Sequence, residues 1–294
     1  MRSTTVAMWN HSDVRIPWLD ELHSRECPFC HTKTLTKKVE NIWTEIPKGL
    51  EKQHRSTMRS HAEINGDYLR EDQLILSGPD EESVDCCWCP VCGYWFVLRI
   101  FWISTKHQLW QMYYAIAGSL RDLDIRDHSV PISEIKKYLA AHYQSRFELS
   151  PRKLEEVVAS IFRSLGYRAE LTSYSNDGGI DVVLQDWNGE VTALQVKRYK
   201  NSIKVEQIRS FIGALILQGT QRGTFVTTSR YQAGCRSIAK IAPMELGLID
   251  AQKLFELLKL SQIAEADCYP TFLSEGNVKP PKLYFVEELH MNSM

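Results

Sequence analysis

The sequence predicts an α/β protein in which a C-terminal mixed β-sheet flanked by helices follows a small cysteine-rich domain and a helical connector. Three observations carry this. Over residues 150–260 the hydrophobic spacing switches repeatedly between helical and strand periods, in the order αβββαβαβα. Six of the eight cysteines fall between positions 27 and 92. The net charge of −1 over 294 residues hides an uneven distribution: −2 for residues 1–150, +4 for 151–262 and −3 for 263–294. The divisions follow as a cysteine module with a long insertion (23–105), a helical connector (106–148), the α/β domain (149–262) and a C-terminal tail (263–294).

A hydrophobic share of 44% with 24% charged residues is that of a globular chain and excludes a disordered or fibrous one. Residues 94–103, the most apolar stretch, are too few to span a bilayer and include Arg99, so no membrane is expected. Residues 1–10 lack the apolar run of a signal peptide, which sets a reducing, cytoplasmic compartment as the expectation.

Taken in order, residues 1–22 show no clear pattern. Residues 48–85 are polar and read as an insertion with one short helix around 58–64. The aromatic and β-branched run 95–102 reads as a strand. Leu109, Met112, Tyr113, Ile116 and Leu120 give a helical spacing over 107–122. A second helix opens at Pro131 and runs to about Tyr143. Ser150 as N-cap and Pro151 at the first helical position start the next helix, which Gly166 ends. Strands follow over 167–174, 180–185 and 190–199, the last two joined through Asn188-Gly189, a strong two-residue hairpin signal. A helix over 205–217, a strand over 223–228, a helix near 232–241, a strand over 246–249 and a helix over 251–260 complete the order.

Cys27-Pro28-Phe29-Cys30 and Cys89-Pro90-Val91-Cys92 are two C-x-x-C hooks. Each sets two thiolates on one tight turn, and two hooks supply the four ligands of a closed structural Zn²⁺ site, a zinc-ribbon-like arrangement. Cys86, Cys87 and His31 stay open as alternative ligands.

In residues 151–262 the chemistry rests on carboxylates and a lysine. Asp181 follows the Gly178-Gly179-Ile180 turn, and Gln195-Val196-Lys197 lies on the strand across the hairpin. Strand alternation points Gln195 and Lys197 to one face, and antiparallel pairing brings Asp181 to their end. Asp181, the Gln195 amide oxygen and the Val196 carbonyl then form an oxygen set suited to Mg²⁺ (or Mn²⁺). Lys197 is placed to orient the attacking water and stabilise charge on phosphorus. Glu155, or its neighbour Glu156, adds a carboxylate from the preceding helix. Asp177 reads as a turn residue. Arg198, Lys200, Lys204 and Arg209 form a basic run beside this set, read as DNA-binding. Thr227, Thr228 and Ser229 read as phosphate contacts or as caps of the next helix. No His occurs in 151–262 and the chain has no G-x-x-x-x-G-K-[ST] loop, which excludes a Ser–His hydrolase there and an ATP-driven motor.

The Leu154-Glu155 helix start, Leu165-Gly166-Tyr167, Asp177-Gly178-Gly179-Ile180-Asp181, Gln195-Val196-Lys197-Arg198-Tyr199, Phe225-Val226-Thr227-Thr228-Ser229 and Leu248-Ile249-Asp250 together resemble the Mrr-type restriction endonucleases, a branch of the PD-(D/E)xK nuclease superfamily. The resemblance covers roughly 149–258. It implies a restriction-endonuclease-like sheet and Mg²⁺-dependent cleavage of foreign or modified DNA, as in prokaryotic anti-phage defence. It assigns Glu155, Asp181, Gln195 and Lys197 as the active site. Leu154 departs from the Phe more usual there, a change of packing. Gln195, in place of the superfamily's commoner acid, is typical of this branch and leaves fewer negative ligands.

Two other readings stand beside this one: a zinc-containing DNA-binding protein without catalysis, and a nuclease subunit brought to DNA by a defence-system partner protein. Cutting both strands with one site per chain suggests a homodimer or higher oligomer, with nicking by a monomer as the alternative.

Overall fold

The computed structural model of the chain describes residues 3–10, 25–38, 55–56, 59–60, 62–64, 66, 68, 81–104, 109–117, 123–173, 178–265 and 283–284. They form two compact units, Met1–Arg121 with Cys268–Met294, and Asp122–Asp267.

The first unit is a six-stranded sheet, ordered β11-β1-β5-β4-β3-β2, from β1 (Ser3–Asn10), β2 (Leu35–Lys38), β3 (Glu81–Trp88), β4 (Trp95–Ser104), β5 (Leu109–Ala117) and β11 (Leu283–Tyr284). β2 to β5 pair antiparallel in sequence order, and β1 joins parallel to β5. The strand expected over 95–102 is there as β4. The helix expected over 107–122 is not: 109–117 are β5, in register with β4 from Phe96↔Ala117 to Ser104↔Leu109. Trp110, Tyr113, Tyr114 and Ile116 favour a pleated surface, and the open edge of β4 gives their backbone a ladder, which outweighs a helical spacing met by coincidence. The helical connector 106–148 is thus divided, its first part a strand of this unit and its second part helical in the other. The insertion narrows too. Residues 59–60 and 62–64 are helical, but 81–85 already belong to β3. Two segments without a clear pattern, 3–10 and 283–284, pair with each other as β1 and β11.

The second unit opens with α1 (Ile132–Ala141) and a 3₁₀ turn, Tyr143–Phe147. Then α2 (Pro151–Ser164) starts as expected, the Ser150 hydroxyl accepting from the Lys153 amide at 3.2 Å with Pro151 at the first position. The sheet has the order β10-β9-β8-β7-β6, built from β6 (Arg168–Leu171), β7 (Val182–Gln185), β8 (Val191–Lys197), β9 (Arg222–Thr227) and β10 (Glu245–Ile249). β6, β7 and β8 pair antiparallel and β8, β9 and β10 parallel, so the sheet is mixed. The parallel pairs need crossovers, which α3 (Val205–Leu217) and α4 (Ala233–Lys240) supply before α5 (Ala251–Glu265) closes the unit. Ile180, Ala193, Ile208, Phe211, Leu215, Phe225 and Cys235 make one buried cluster between strands and crossover helices.

The β7–β8 hairpin differs in detail from a two-residue turn. Gln185 pairs with Val191, and Asp186 closes residues 187–189, its Oδ1 accepting the amides of Asn188 and Glu190 at 2.9 Å each. Gly189 at φ +83° takes the left-handed position of this three-residue loop. Helix α5 also runs to Glu265, past the expected domain end, where Lys136, buried on α1, holds the Glu265 carboxylate at 2.8 Å.

Candidate active site and cysteine cluster

Asp181 precedes β7 by one residue. Its amide donates to the Leu194 carbonyl at 2.7 Å, continuing the β7–β8 ladder and setting Asp181 across from Gln195. The side chain is buried, and its Oδ2 accepts the Val196 amide at 2.6 Å. The backbone N–H gives this buried carboxylate a set direction. The sharp approach to Asp181 needs glycines: φ is +58° at Gly178 and +84° at Gly179. A Cβ on Gly179 would stand 3.3 Å from Gln195 Nε2, so the turn and the Gln195 amide share one space.

Glu155 lies on the first turn of α2. Burial pushes its carboxyl above the ordinary carboxylate range and the Asp181 charge adds to this, against the pull of Arg152 and Lys197. Charges felt in common tie Glu155, Asp181 and Lys197 into one electrostatic group. Glu156 faces elsewhere, its carboxylate 3.4 Å from Lys153 Nζ. Of the two rival glutamates, Glu155 is therefore the one that joins Asp181. Arg152, which the sequence reading passed over, pairs with Glu155 at 3.0 Å and donates to the Thr172 carbonyl at 3.1 Å. Its i, i+3 spacing from Glu155 on a helix was the available signal.

Lys197 ends β8, half-buried, its carbonyl receiving the Thr227 hydroxyl at 3.0 Å and the Thr228 amide at 3.2 Å. The hydroxyls of Thr227, Thr228 and Ser229 are buried against the main chain of 197–200. That corrects their reading as phosphate contacts or helix caps, because groups committed to an adjacent backbone have no hydroxyl to offer a phosphate. The basic run divides as well. Lys200, Lys204 and Arg209 are exposed, whereas the exposed Arg198 guanidinium donates to the Phe147 carbonyl. Lys200 Nζ stands 5.8 Å from the Phe147 ring centre. Tyr199, Lys200, Asn201, Ser202, Lys204 and Gln207 line a concave surface at the start of α3. Asp177 lies outside the described residues.

In the first unit, Cys27, Cys30, Cys89 and Cys92 are buried with their sulfurs all within 4.8 Å of one another, the one such group among the described residues. Measured pairs are Cys27–Cys92 at 3.4 Å, Cys30–Cys89 at 3.3 Å and Cys30–Cys92 at 3.8 Å. A tetrahedral Zn²⁺ with bonds of about 2.3 Å places its sulfurs roughly 3.8 Å apart, so the donor set fits that ion. The two hooks are built alike. The amide of the residue after each second cysteine bonds back to the first cysteine's carbonyl, His31 to Cys27 at 2.9 Å and Gly93 to Cys89 at 3.1 Å. Both residues take positive φ, +55° and +78°. His31 occupies this turn position exposed, outside the sulfur cluster. Cys86 and Cys87 sit on β3 away from the four; burial pushes the Cys86 thiol up to about 12, and Cys87 meets the Thr36 hydroxyl at 3.4 Å. Within the four, hydrogen bonds from Cys27 pull Cys30 and Cys89 down, while sulfur neighbours push Cys27 and Cys92 up with burial adding to it. Four sulfurs at this spacing are a group that could hold a metal ion.

Among the described residues no helix is long and apolar enough to cross a membrane. Residues 147–258 match a family model described as restriction endonuclease, Mrr_cat. Over 147 residues the chain is 30% identical to the type IV methyl-directed restriction enzyme EcoKMrr of Escherichia coli strain K12, covering 48% of this chain and 45% of that enzyme. The chain therefore spans less than half the length of this relative. Similar solved structures include the DNA modification-dependent restriction endonuclease AspBHI, with 17% identity, TM-score 0.36 and coverage of 61% of this chain and 60% of that one. Another is the MspJI restriction endonuclease in complex with a 27-mer oligonucleotide, with 18% identity, TM-score 0.30 and coverage of 56% and 40%. With the motifs and the mixed sheet already in place, residues 147–258 resemble the Mrr-type restriction endonucleases.

Proposed function

We propose that this chain is a metal-dependent DNA endonuclease acting on foreign or modified DNA in prokaryotic anti-phage defence, within the cytoplasm. One observation carries the reading: Asp181, buried and fixed by the Val196 amide, lies across from Gln195 at the end of β8 where Lys197 stands, with Glu155 coupled to it. Asp181, the Gln195 amide oxygen and the Val196 carbonyl are the residues that would hold Mg²⁺ or Mn²⁺, a set of hard oxygen donors. When bound, such an ion supplies charge stabilisation on the phosphoryl oxygens and a more acidic water. Lys197 orients the water whose oxygen attacks phosphorus and offsets charge there as the opposite P–O bond breaks. Glu155, its carboxyl raised by burial and by the Asp181 charge, is the carboxylate placed to exchange a proton beside this set. Lys200, Lys204 and Arg209 supply phosphate contacts, and Arg198 holds the 3₁₀ turn beside them. The four-cysteine site takes a structural Zn²⁺. A homodimer or larger assembly, or a partner protein of the same defence system, brings a second site to the opposite strand.

The test is cleavage of methylated and unmethylated plasmid with Mg²⁺ or Mn²⁺. Wild type is expected to cut, with Asp181→Ala and Lys197→Ala reduced at least 10³-fold while retaining DNA in a gel-shift assay, in line with the size of such catalytic terms. Cutting that persists in EDTA, or in Asp181→Ala, refutes the mechanism.

A further inference from the structure

Lys197 is the last residue of β8, and the chain leaves the sheet directly after it. A strand end of this kind frays unless its backbone groups find partners elsewhere. Here residues 197–200 find them on three consecutive hydroxyls at the end of β9. Thr227 Oγ1 donates to the Lys197 carbonyl at 3.0 Å and accepts the Ser229 amide at 3.2 Å. Thr228 Oγ1 meets both backbone groups of Tyr199, accepting its amide and donating to its carbonyl, each at 3.0 Å. Ser229 Oγ donates to the Lys200 carbonyl at 3.1 Å. Thr227 and Thr228 are fully buried and Ser229 is 8% exposed, so water does not compete for these bonds.

A second layer holds the hydroxyls. Arg146 of the 3₁₀ turn donates from Nε to the Thr228 carbonyl at 3.1 Å and from Nη1 to the Tyr143 carbonyl at 2.9 Å. Its guanidinium lies over the Phe147 and Tyr143 rings, 4.1 and 4.5 Å from their centres. From the other side Arg198 returns to the Phe147 carbonyl. The 3₁₀ turn, the end of β9 and the strand that carries Lys197 thus form one closed loop of hydrogen bonds.

The geometry points to Thr227, Thr228, Ser229 and Arg146 as positioning residues of the nuclease site: their hydroxyls and guanidinium hold the backbone of 197–200 and so aim Lys197 and Lys200. They touch no substrate. This rests on the nuclease reading and deepens it. The chemistry explains the residue types, since the backbone groups of Tyr199 ask one side chain both to donate and to accept, which a hydroxyl does and a methyl does not. It also explains why a turn ahead of α2 matters, because Arg146 reaches the Thr228 carbonyl at the strand end.

The experiment compares full-length wild type, Thr228→Val and Thr228→Ser in metal-dependent plasmid cleavage, with kcat and KM resolved. Valine keeps the shape of threonine and removes the hydroxyl; serine keeps the hydroxyl. Thr228→Val is expected to lose about 10- to 100-fold in kcat, the scale of a displacement of up to about 1 Å at a catalytic group, with KM held within about 3-fold. Thr228→Ser is expected to return to within about 3-fold of wild type. Thr227→Val, which removes the bond to the Lys197 carbonyl, repeats the split and serves if Thr228→Val does not fold. Wild-type cutting matched by Thr228→Val, serine no better than valine, or a rise in KM at constant kcat overturns the inference alone. Wild type that cuts no DNA removes the nuclease reading and this inference with it.

Discussion

Replacing Gly179 by alanine would move Gln195 without altering it. The new Cβ would stand 3.3 Å from Gln195 Nε2 and 3.6 Å from the Ala214 Cβ. The second contact is ordinary, whereas the first requires the amide to yield by a few tenths of an ångström. Backbone strain adds to this, because φ at Gly179 is +84° and a non-glycine residue in the left-handed region costs about 1–2 kcal/mol. Alanine restricts the unfolded chain and returns about 0.4–1 kcal/mol. The net destabilisation is about 1 kcal/mol, or roughly 2–4 °C in Tm for a domain of this size. Gly178→Ala is the control. Its φ of +58° carries similar strain, but its Cβ would meet Gln218 Nε2, the end of a flexible side chain that swings aside. Both variants are expected to melt slightly lower, by calorimetry or circular dichroism. Only Gly179→Ala is expected to cut DNA more slowly and to need more Mg²⁺ for half-maximal rate. Equal activity losses in the two variants would assign the effect to backbone strain and refute the part given to Gln195.

Two further outcomes follow from the ionisable groups. Cys92→Ser is expected to lower the bound Zn²⁺ from one per chain to well below one by elemental analysis; an unchanged stoichiometry would rule out the four-sulfur site. Because the folded pKa of Glu155 is raised, the stability it contributes is present below its unfolded pKa and is lost as pH rises through the folded value. In EDTA, Glu155→Gln is therefore expected to melt above wild type at pH 7 and to lose that advantage near pH 4, while cutting nothing when metal is restored. A lower Tm at pH 7 would show that the ion pair with Arg152 outweighs burial.

Much of the second unit was legible because its signals are local. Ser150 and Pro151 mark a helix start by chemistry that works within four residues, and the apolar runs of β8 and β9 have the length of buried strands. The first unit was less so. The identity of 109–117 as a strand depends on the edge of β4, a partner that no window of sequence contains. The pairing of 3–10 with 283–284 links the two ends of the chain, and no periodicity reports it. At the site the same division holds. Asp181, Gln195 and Lys197 could be brought together from strand alternation and one hairpin. The hydroxyls of 227–229 could not be assigned, since their partners lie about thirty residues back on the neighbouring strand.

The charge of the second unit shows how burial and pairing turn a modest total into a local field. Five of the eleven acids of residues 151–262 sit beside cations: Glu155 by Arg152, Glu156 by Lys153, Glu170 by Arg168, Glu190 and Glu245 by Arg222. Each such pair cancels within a few ångströms, well inside the screening length at physiological salt. Residues 191–221 are different. They contain Lys197, Arg198, Lys200, Lys204 and Arg209 against the single acid Glu206, a net of +4, while 151–190 sum to −3 and 222–262 to +3. They begin on the strand that carries Lys197 and run through α3. A net of −1 over the chain is therefore compatible with a phosphate-binding track, because a polyanion meets the field at the surface it touches and not the sum over the molecule. Arg198, held by the Phe147 carbonyl, lends its charge to that field while its hydrogen bonds serve the fold.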